Sequence, residues 1–165
     1  MRYYATSEEG DSFARIGARL AADVEAARTR LKALGEEDAS RPRAVGKWSP
    51  KEILGHLVDS AANNHQRFVR GQDGTSLRVP GYEQERWVSA QRYRDRPWSE
   101  LVELWSAYNR HLAHVIAVIP EGRRDIPCHI GDNAPMTLSQ VALDYVGHIQ
   151  HHLRQIFEEP PGGHR

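Results

Sequence analysis

Two segments of this chain combine a strong helix start with a polar stripe on a face that is otherwise apolar. Trp48-Ser49-Pro50-Lys51-Glu52 opens the first. Ser49 suits the cap, Pro50 the first helical position, and Glu52 completes a capping box. Ile53, Leu54, Leu57, Val58, Ala61 and Phe68 then recur at helical spacing as far as Arg70. Thr137 and Gln140 make a second capping box, and the helix it starts runs from Leu138 to Phe157. With His56 taken as zero, Asp59 falls at about −60°, Asn63 at about −20°, Arg67 at about +20° and Ser60 at about +40°. On the later helix Asp144, His148, His152 and Gln155 fall within about 80° of one another. Polar groups that face a core need partners. Two such stripes on two helices are the pattern of a site inside a helical bundle.

The rest of the chain supplies the bundle. Phe13, Ile16, Leu20, Val24, Leu31 and Leu34 mark a helix from Ser12 to Leu34, which Gly35 is placed to end. Glu36 to Lys47 reads as a charged loop, and Gly71 to Gly81 as a polar loop. Tyr82 to Arg94 reads as a short helix. Pro97-Trp98-Ser99-Glu100 opens a third long helix over Leu101 to Ile119, with Leu101, Leu104, Trp105, Tyr108, Leu112, Val115, Ile116 and Ile119 as its apolar positions. Arg123 to Pro135 is a long connection with a strand-like turn near Ile126 to Ile130, and Pro160 to Gly163 a frayed tail. Four amphipathic helices without a convincing alternating strand predict an all-α fold, one four-helix bundle over residues 1–165. The long connections favour crossovers over simple up-and-down order.

Composition narrows the function classes. Lys plus Arg and Asp plus Glu number 22 each, so there is no electrostatic footprint for nucleic acid or an anionic membrane. The single cysteine, Cys128, allows no internal disulfide and fits a reducing cytoplasm. The start, Met1 to Thr6, lacks an apolar signal core, and no run approaches the length of a membrane span. The excess is in histidine, nine residues, three of them within five positions at His148, His151 and His152.

His148 and His152 stand one turn apart, a spacing that lets two imidazoles hold one metal ion from the same side. His56 is the best third ligand. His151, about 60° from His148 on the other side, is an alternative to His152 or a neighbour of the site. His65 lies about 180° from His56 and should face away, while His111 sits near the Leu104 line of the third helix. Taken singly, each of these histidines has an ordinary reading as a solvated or hydrogen-bonded helix residue. The two stripes together favour a site.

Trp48 to Ser60, continued by Asn63-Asn64-His65-Gln66-Arg67-Phe68, resembles the second-helix motif of the DinB superfamily in its YfiT-like branch. His148 to Ile156 resembles the last-helix motif of that family, in the right order and separation. The resemblance spans Trp48 to Phe157. It implies an up-down-down-up four-helix bundle, often a homodimer, with a divalent metal, zinc or nickel, on three histidines. Carried over, those are His56, His148 and His152, and His151 is the family's adjacent histidine that is not a ligand. It further implies a metal-dependent hydrolase, or a transferase joining a low-molecular-weight thiol to a small electrophilic substrate.

Three neutral imidazoles leave coordination positions open, as in catalytic zinc sites. A water held there has a lowered pKa, and a thiol is deprotonated. Asp59 and Asn63 are the expected groups for orienting ligands or water, and Arg67 for receiving an anionic part of the substrate. The competing class is a non-enzymatic metal-binding module for stress response or interaction, whose metal would have a closed protein shell.

Overall fold

The computed structural model describes residues 11–158. The expected tail at Pro160 to Gly163, His164 and the start at Met1 to Thr6 lie outside those residues. Four long helices, α1 (Phe13–Ala33), α3 (Pro50–Arg70), α5 (Trp98–Ala117) and α6 (Leu138–Phe157), form the bundle. Short elements join them: α2 (Glu36–Ser40), α4 (Gln84–Gln91), a 3-10 turn at Tyr93–Asp95 and another at Glu121–Arg123. In the bundle α1 packs on α5 and α6, and α3 packs on α5 and α6. Helices consecutive in the chain, α1 then α3 and α5 then α6, therefore stand across the bundle from each other. The α5–α6 crossover is one that the long connections allow; the other runs from α1 to α3, whereas α3 and α5, also joined by a long connection, are neighbours.

Both capping boxes form. The Ser49 amide donates to Glu52 Oε2 at 2.9 Å and the Glu52 amide to Ser49 Oγ at 3.4 Å. The Thr137 amide donates to Gln140 Oε1 at 2.9 Å, and the Gln140 amide to Thr137 Oγ1 at 3.2 Å. Each box fixes the first turn, and so the phase, of one of the two helices that carry the polar stripes. The apolar faces then close a core that includes Phe13, Leu20, Leu54, Leu57, Phe68, Trp105, Leu112 and Ile149.

Several local expectations need correction. Gly35 does not close α1. Leu34 takes the C-cap, and Gly35 instead caps α2, a helical turn within the expected charged loop. That turn begins Glu36-Glu37-Asp38, acidic residues favourable at a helix N-terminus. It is anchored because Glu36 pairs with Lys51 and accepts from the Trp98 amide at 2.8 Å, while Ala39 is buried. Leu104 is exposed. The inner face of α5 turns toward Val102, Ser106 and Asn109 instead, where Asn109 accepts from the Tyr145 hydroxyl at 2.5 Å. The short helix expected over Tyr82 to Arg94 is confined to Gln84–Gln91.

The fold also contains a small three-stranded sheet. Strand β1 (Leu77–Val79) pairs in parallel with β2 (Pro127–Ile130), which pairs antiparallel with β3 (Met136–Thr137). β2 coincides with the expected strand-like turn, whereas β1 lies in the expected polar loop. The sheet ties the α3–α4 connection to the α5–α6 connection and brings Cys128, Ile130 and Met136 over the gap between α3 and α6.

α1 and α5 come close together at Gly17. A Cβ there would lie 2.5 Å from the Ala113 carbonyl oxygen and 2.8 Å from the Ala117 Cβ. Helix propensity favours Ala over Gly by about 1 kcal/mol. Overpacking against a backbone that cannot rotate aside costs about 1–3 kcal/mol and should win. Gly17→Ala is expected to lower the urea midpoint. Gly122→Ala, in the 3-10 turn at Glu121–Arg123 where the added methyl meets nothing within 4 Å, should leave it nearly unchanged.

Candidate metal centre

α3 and α6 face each other across the upper half of the bundle and bring His56, His148 and His152 together. One ring nitrogen from each lies within 4.8 Å of the other two. His56 and His152 are buried and His148 is half-buried. The rings stand edge to face, with centroids 4.5 to 5.0 Å apart. The other side of His56 is covered by the Trp48 ring at 5.4 Å, delivered by the residue just before the Ser49 cap.

Hydrogen bonds assign an outward nitrogen to two of the rings, His152 and His148. His152 Nδ1 lies 2.8 Å from Gln155 Oε1, so Nδ1 carries the proton and donates, leaving Nε2 with its lone pair. His148 Nδ1 lies 3.4 Å from Ser60 Oγ. His148 Nε2 and His56 Nε2 face each other at 3.1 Å. Two lone pairs so placed repel, and one proton between them satisfies the pair without using the third ring. A cation satisfies all three. Tetrahedral coordination at about 2.0–2.1 Å sets nitrogens about 3.3 Å apart, so the cluster needs only a small closure to hold an ion. The donor set, three neutral imidazoles without a thiolate, suits a divalent transition metal.

Burial sets the charge state. Desolvation, followed by the positive field of His152, pushes His56 down to about 4. The same causes, with the His152 field ahead of those of His56, His151 and Arg67, push His148 down to about 2. Burial also lowers His152, opposed by its Gln155 hydrogen bond. All three rings are therefore neutral near pH 7, the state a metal ligand requires.

Two members of the cluster, His56 and His148, line one end of a cavity of about 640 Å³, a size that suits a small molecule, and His152 lies behind them outside its lining. One wall is the α3 stripe His56, Ser60, Asn64 and Arg67. The facing wall is the α6 stripe Val141, Asp144, Tyr145 and His148. Of the residues expected to assist, Arg67 lines the cavity and Asp59 and Asn63 do not. Asp59 is buried on the opposite side of His56, where Oδ1 accepts from the Tyr93 hydroxyl and from Gln91 Nε2, both at 2.6 Å. Desolvation raises its pKa against those two hydrogen bonds. Asn63 donates to the Asp59 carbonyl at 2.9 Å and lines a separate groove. Helical phase groups these residues around His56, but the cavity opens on the positive-angle side only. Asn64, at about +80°, therefore enters where Asn63 does not. Tyr82 also lines the cavity and has no local sequence signal. His65 faces away as expected, its Nδ1 3.1 Å from the Tyr108 hydroxyl. His111 stacks on His65, outside the centre.

Residues 5–156 match the DinB superfamily. A protein of Oceanobacillus iheyensis named "Putative metal-dependent hydrolase" is 22% identical over 126 residues, which span 76% of this chain and 72% of that protein. One of the same name from Geobacillus thermodenitrificans is 23% identical over 133 residues, covering 80% of this chain and 75% of that one. Among solved structures, YfiT from Bacillus subtilis is described as a probable metal-dependent hydrolase with an unusual four-helix bundle topology. It matches with a TM-score of 0.80 at 18% identity, covering 93% of this chain and 90% of that one. The likeness bears out the bundle fold. Among the described residues, no helix is long and apolar enough to cross a membrane.

The lowered histidine pKa values have a consequence for metal-free protein. Unfolded histidine titrates near 6.5, whereas His56 titrates at about 4 and His148 at about 2 when folded. Between those values the unfolded chain binds protons that the folded chain does not, so stability falls as pH falls. Thermal unfolding of metal-free protein by circular dichroism should show a midpoint that is flat above pH 6.5 and drops steadily down to pH 4. The drop should be shallower in His148→Gln. A midpoint independent of pH over that range would contradict the burial of neutral rings.

Proposed function

The chain belongs to the DinB superfamily, and we propose that it is a metal-dependent enzyme acting on a small molecule, with His56, His148 and His152 as the ligands. One observation carries this reading: three ring nitrogens converge, and two of the rings, His56 and His148, open onto a cavity large enough for a substrate. A divalent ion, zinc or nickel, supplies Lewis acidity there, lowering the pKa of a coordinated water or thiol. Hydrolysis is the leading reaction, supported by the names of the relatives. Transfer of a low-molecular-weight thiol to an electrophile is the second, and uses the same ligands. A structural metal would need a fourth protein ligand. Among the described residues, no cysteine or carboxylate joins the three histidines in one cluster.

The remaining residues prepare this site. Gln155 and Ser60 hold the rings of His152 and His148 by their Nδ1 atoms, which keeps the other nitrogen of each directed inward. Asp59 is proposed as a positioning residue. Its Oδ2 and His56 Nδ1 are both buried without a hydrogen-bond partner among the described residues, one turn apart on α3. Asn63 steadies that turn through the Asp59 carbonyl. Trp48 shields the outer face of His56 from water.

Variants of the adjacent histidines test the ligand assignment. His152→Ala should lose stoichiometric zinc by elemental analysis of untagged protein, and His151→Ala should retain it. Equal losses would show that the ligand was misassigned. Asp59→Asn keeps the shape of the side chain. It should reduce turnover by an order of magnitude or more while moving the unfolding midpoint little. Cobalt-substituted protein separates the two reactions. A sulfur-to-metal charge-transfer band on adding 2-mercaptoethanol supports thiol transfer. A pH-dependent spectrum with no thiol response leaves hydrolysis. No response to either would sink the enzyme reading.

A further inference from the structure

The end of the cavity away from the histidines is built around Arg67. Its side chain is half-buried, and the guanidinium makes one hydrogen bond among the described residues, from Nη1 to Asn64 Oδ1 at 3.2 Å. None of the ion pairs among those residues involves it. Burial lowers the pKa of Arg67 below the ordinary arginine value, with nearby Tyr82 and Asp144 opposing the shift. A guanidinium stays charged under any such shift, so this is a desolvated cation whose fork of donors is largely unused by the protein.

Its place relative to the chemistry is fixed by α3. His56, Ser60, Asn64 and Arg67 succeed one another at spacings of four, four and three residues, so one helical stripe runs from the histidine cluster to the guanidinium. The long arginine side chain leans back toward the helix N-terminus, that is, toward the histidines. The charge of Arg67 is felt at His148. A molecule in the cavity therefore meets the cluster at one end and a planar cationic fork at the other. The walls between carry Tyr82, Ile130 and Met136, a mixed polar and apolar lining.

The charge of the cavity limits which anion fits. Asp144 and the exposed Glu83 line it together with Arg67. Each further negative charge on a ligand adds repulsion from these carboxylates, which favours a monoanion over a dianion such as a phosphate ester. A carboxylate spreads one negative charge over two oxygens and matches the guanidinium bidentately.

We propose that Arg67 is the specificity-determining residue of this site and that the substrate is a compact monocarboxylate. Its carboxylate pairs with the Arg67 guanidinium while its reacting group lies at the histidine cluster. The inference rests on the proposal that the chemistry occurs at that cluster, but the anion subsite is measurable without turnover.

The test is calorimetric titration of zinc-loaded protein with ω-mercaptocarboxylates of two to five carbons and with the matching ω-mercaptocarboxamides. The amide keeps the shape and loses the charge. The best acid should bind wild-type protein about tenfold or more tightly than its amide, the effect of one charge-assisted pair. In R67Q the ratio should fall close to one with zinc stoichiometry unchanged. R67K, which keeps the charge without the fork, should retain part of the preference and serves if R67Q does not fold. A ratio near one in wild type, or a preference that survives in R67Q or is undiminished in R67K, overturns the proposal while leaving the metal site standing. If no thiol of either kind binds, thiol coordination has failed, and the subsite is read by thermal shift of metal-free protein with sodium butyrate against butyramide. A stabilisation by butyrate that disappears in R67Q and is reduced in R67K supports the subsite, and its absence overturns it. Greater stabilisation by inorganic phosphate than by butyrate also overturns it.

Discussion

The site depends on three imidazoles held neutral and facing one another between α3 and α6. A buried polar group without a partner costs about 1–3 kcal/mol, and a cluster of buried rings concentrates that penalty in one place. The fold tolerates it by giving two of the outer nitrogens a partner, Gln155 for His152 and Ser60 for His148. The inner nitrogens are left crowded, with the two Nε2 atoms at 3.1 Å. Such an arrangement is frustrated as an apolar core and well suited to a cation. An ion held there would link metal binding to folding, since it would stabilise the one conformation in which all three nitrogens meet.

That convergence rests on helix phase. A rotation of α3 by one residue would carry His56 through about 100° and out of the interface. The two capping boxes, Ser49 with Glu52 and Thr137 with Gln140, set the first turn of each helix that bears a ligand. Gly55 adds a lateral constraint, because a Cβ there would lie 2.1 Å from the Tyr93 ring. The absence of that Cβ lets Tyr93 come in flat against α3 and reach Asp59 with its hydroxyl. The residue preceding Tyr93, Arg92, takes a left-handed backbone with φ of 52°, which turns the chain from α4 into the 3-10 segment. Order at Asp59, beside the site, is thus supplied by a connection outside the four-helix frame.

What was legible in the sequence was what is local and periodic. Capping boxes, the apolar spacing of α1, α3 and α6, and the one-turn separation of His148 and His152 depend on neighbours within four residues, and the structure reproduces them. The convergence of His56 on that pair was legible because both helices carry polar stripes that only each other can satisfy. What depends on the third dimension was not. Helical phase placed Asn63 nearer His56 than Asn64, yet the cavity lies on one side of the histidine and takes Asn64. Leu104 is as apolar as Leu101, but α5 turns Ser106 and Asn109 inward because Tyr145 provides Asn109 with a buried partner. β1 has three residues, too few for an alternating pattern, and exists because β2, fifty residues later, offers it a parallel edge.

The adjacent histidines show how one amide can assign opposite roles to chemically identical neighbours. Coordination through His152 Nε2 requires the proton on Nδ1. That proton needs an acceptor, and so selects the orientation of Gln155 in which Oε1 faces His152 at 2.8 Å. The Gln155 amide nitrogen then points at His151 Nε2, 3.1 Å away, and must donate to it. The lone pair of His151 Nε2 is thereby occupied. Turning the amide over would reverse both bonds, placing a donor on His152 Nδ1 and forcing its proton to Nε2, where no ion could bind. On the proposed assignment, the ligand role of His152 and the exclusion of His151 Nε2 are thus one choice made by Gln155, one turn further along the same helix.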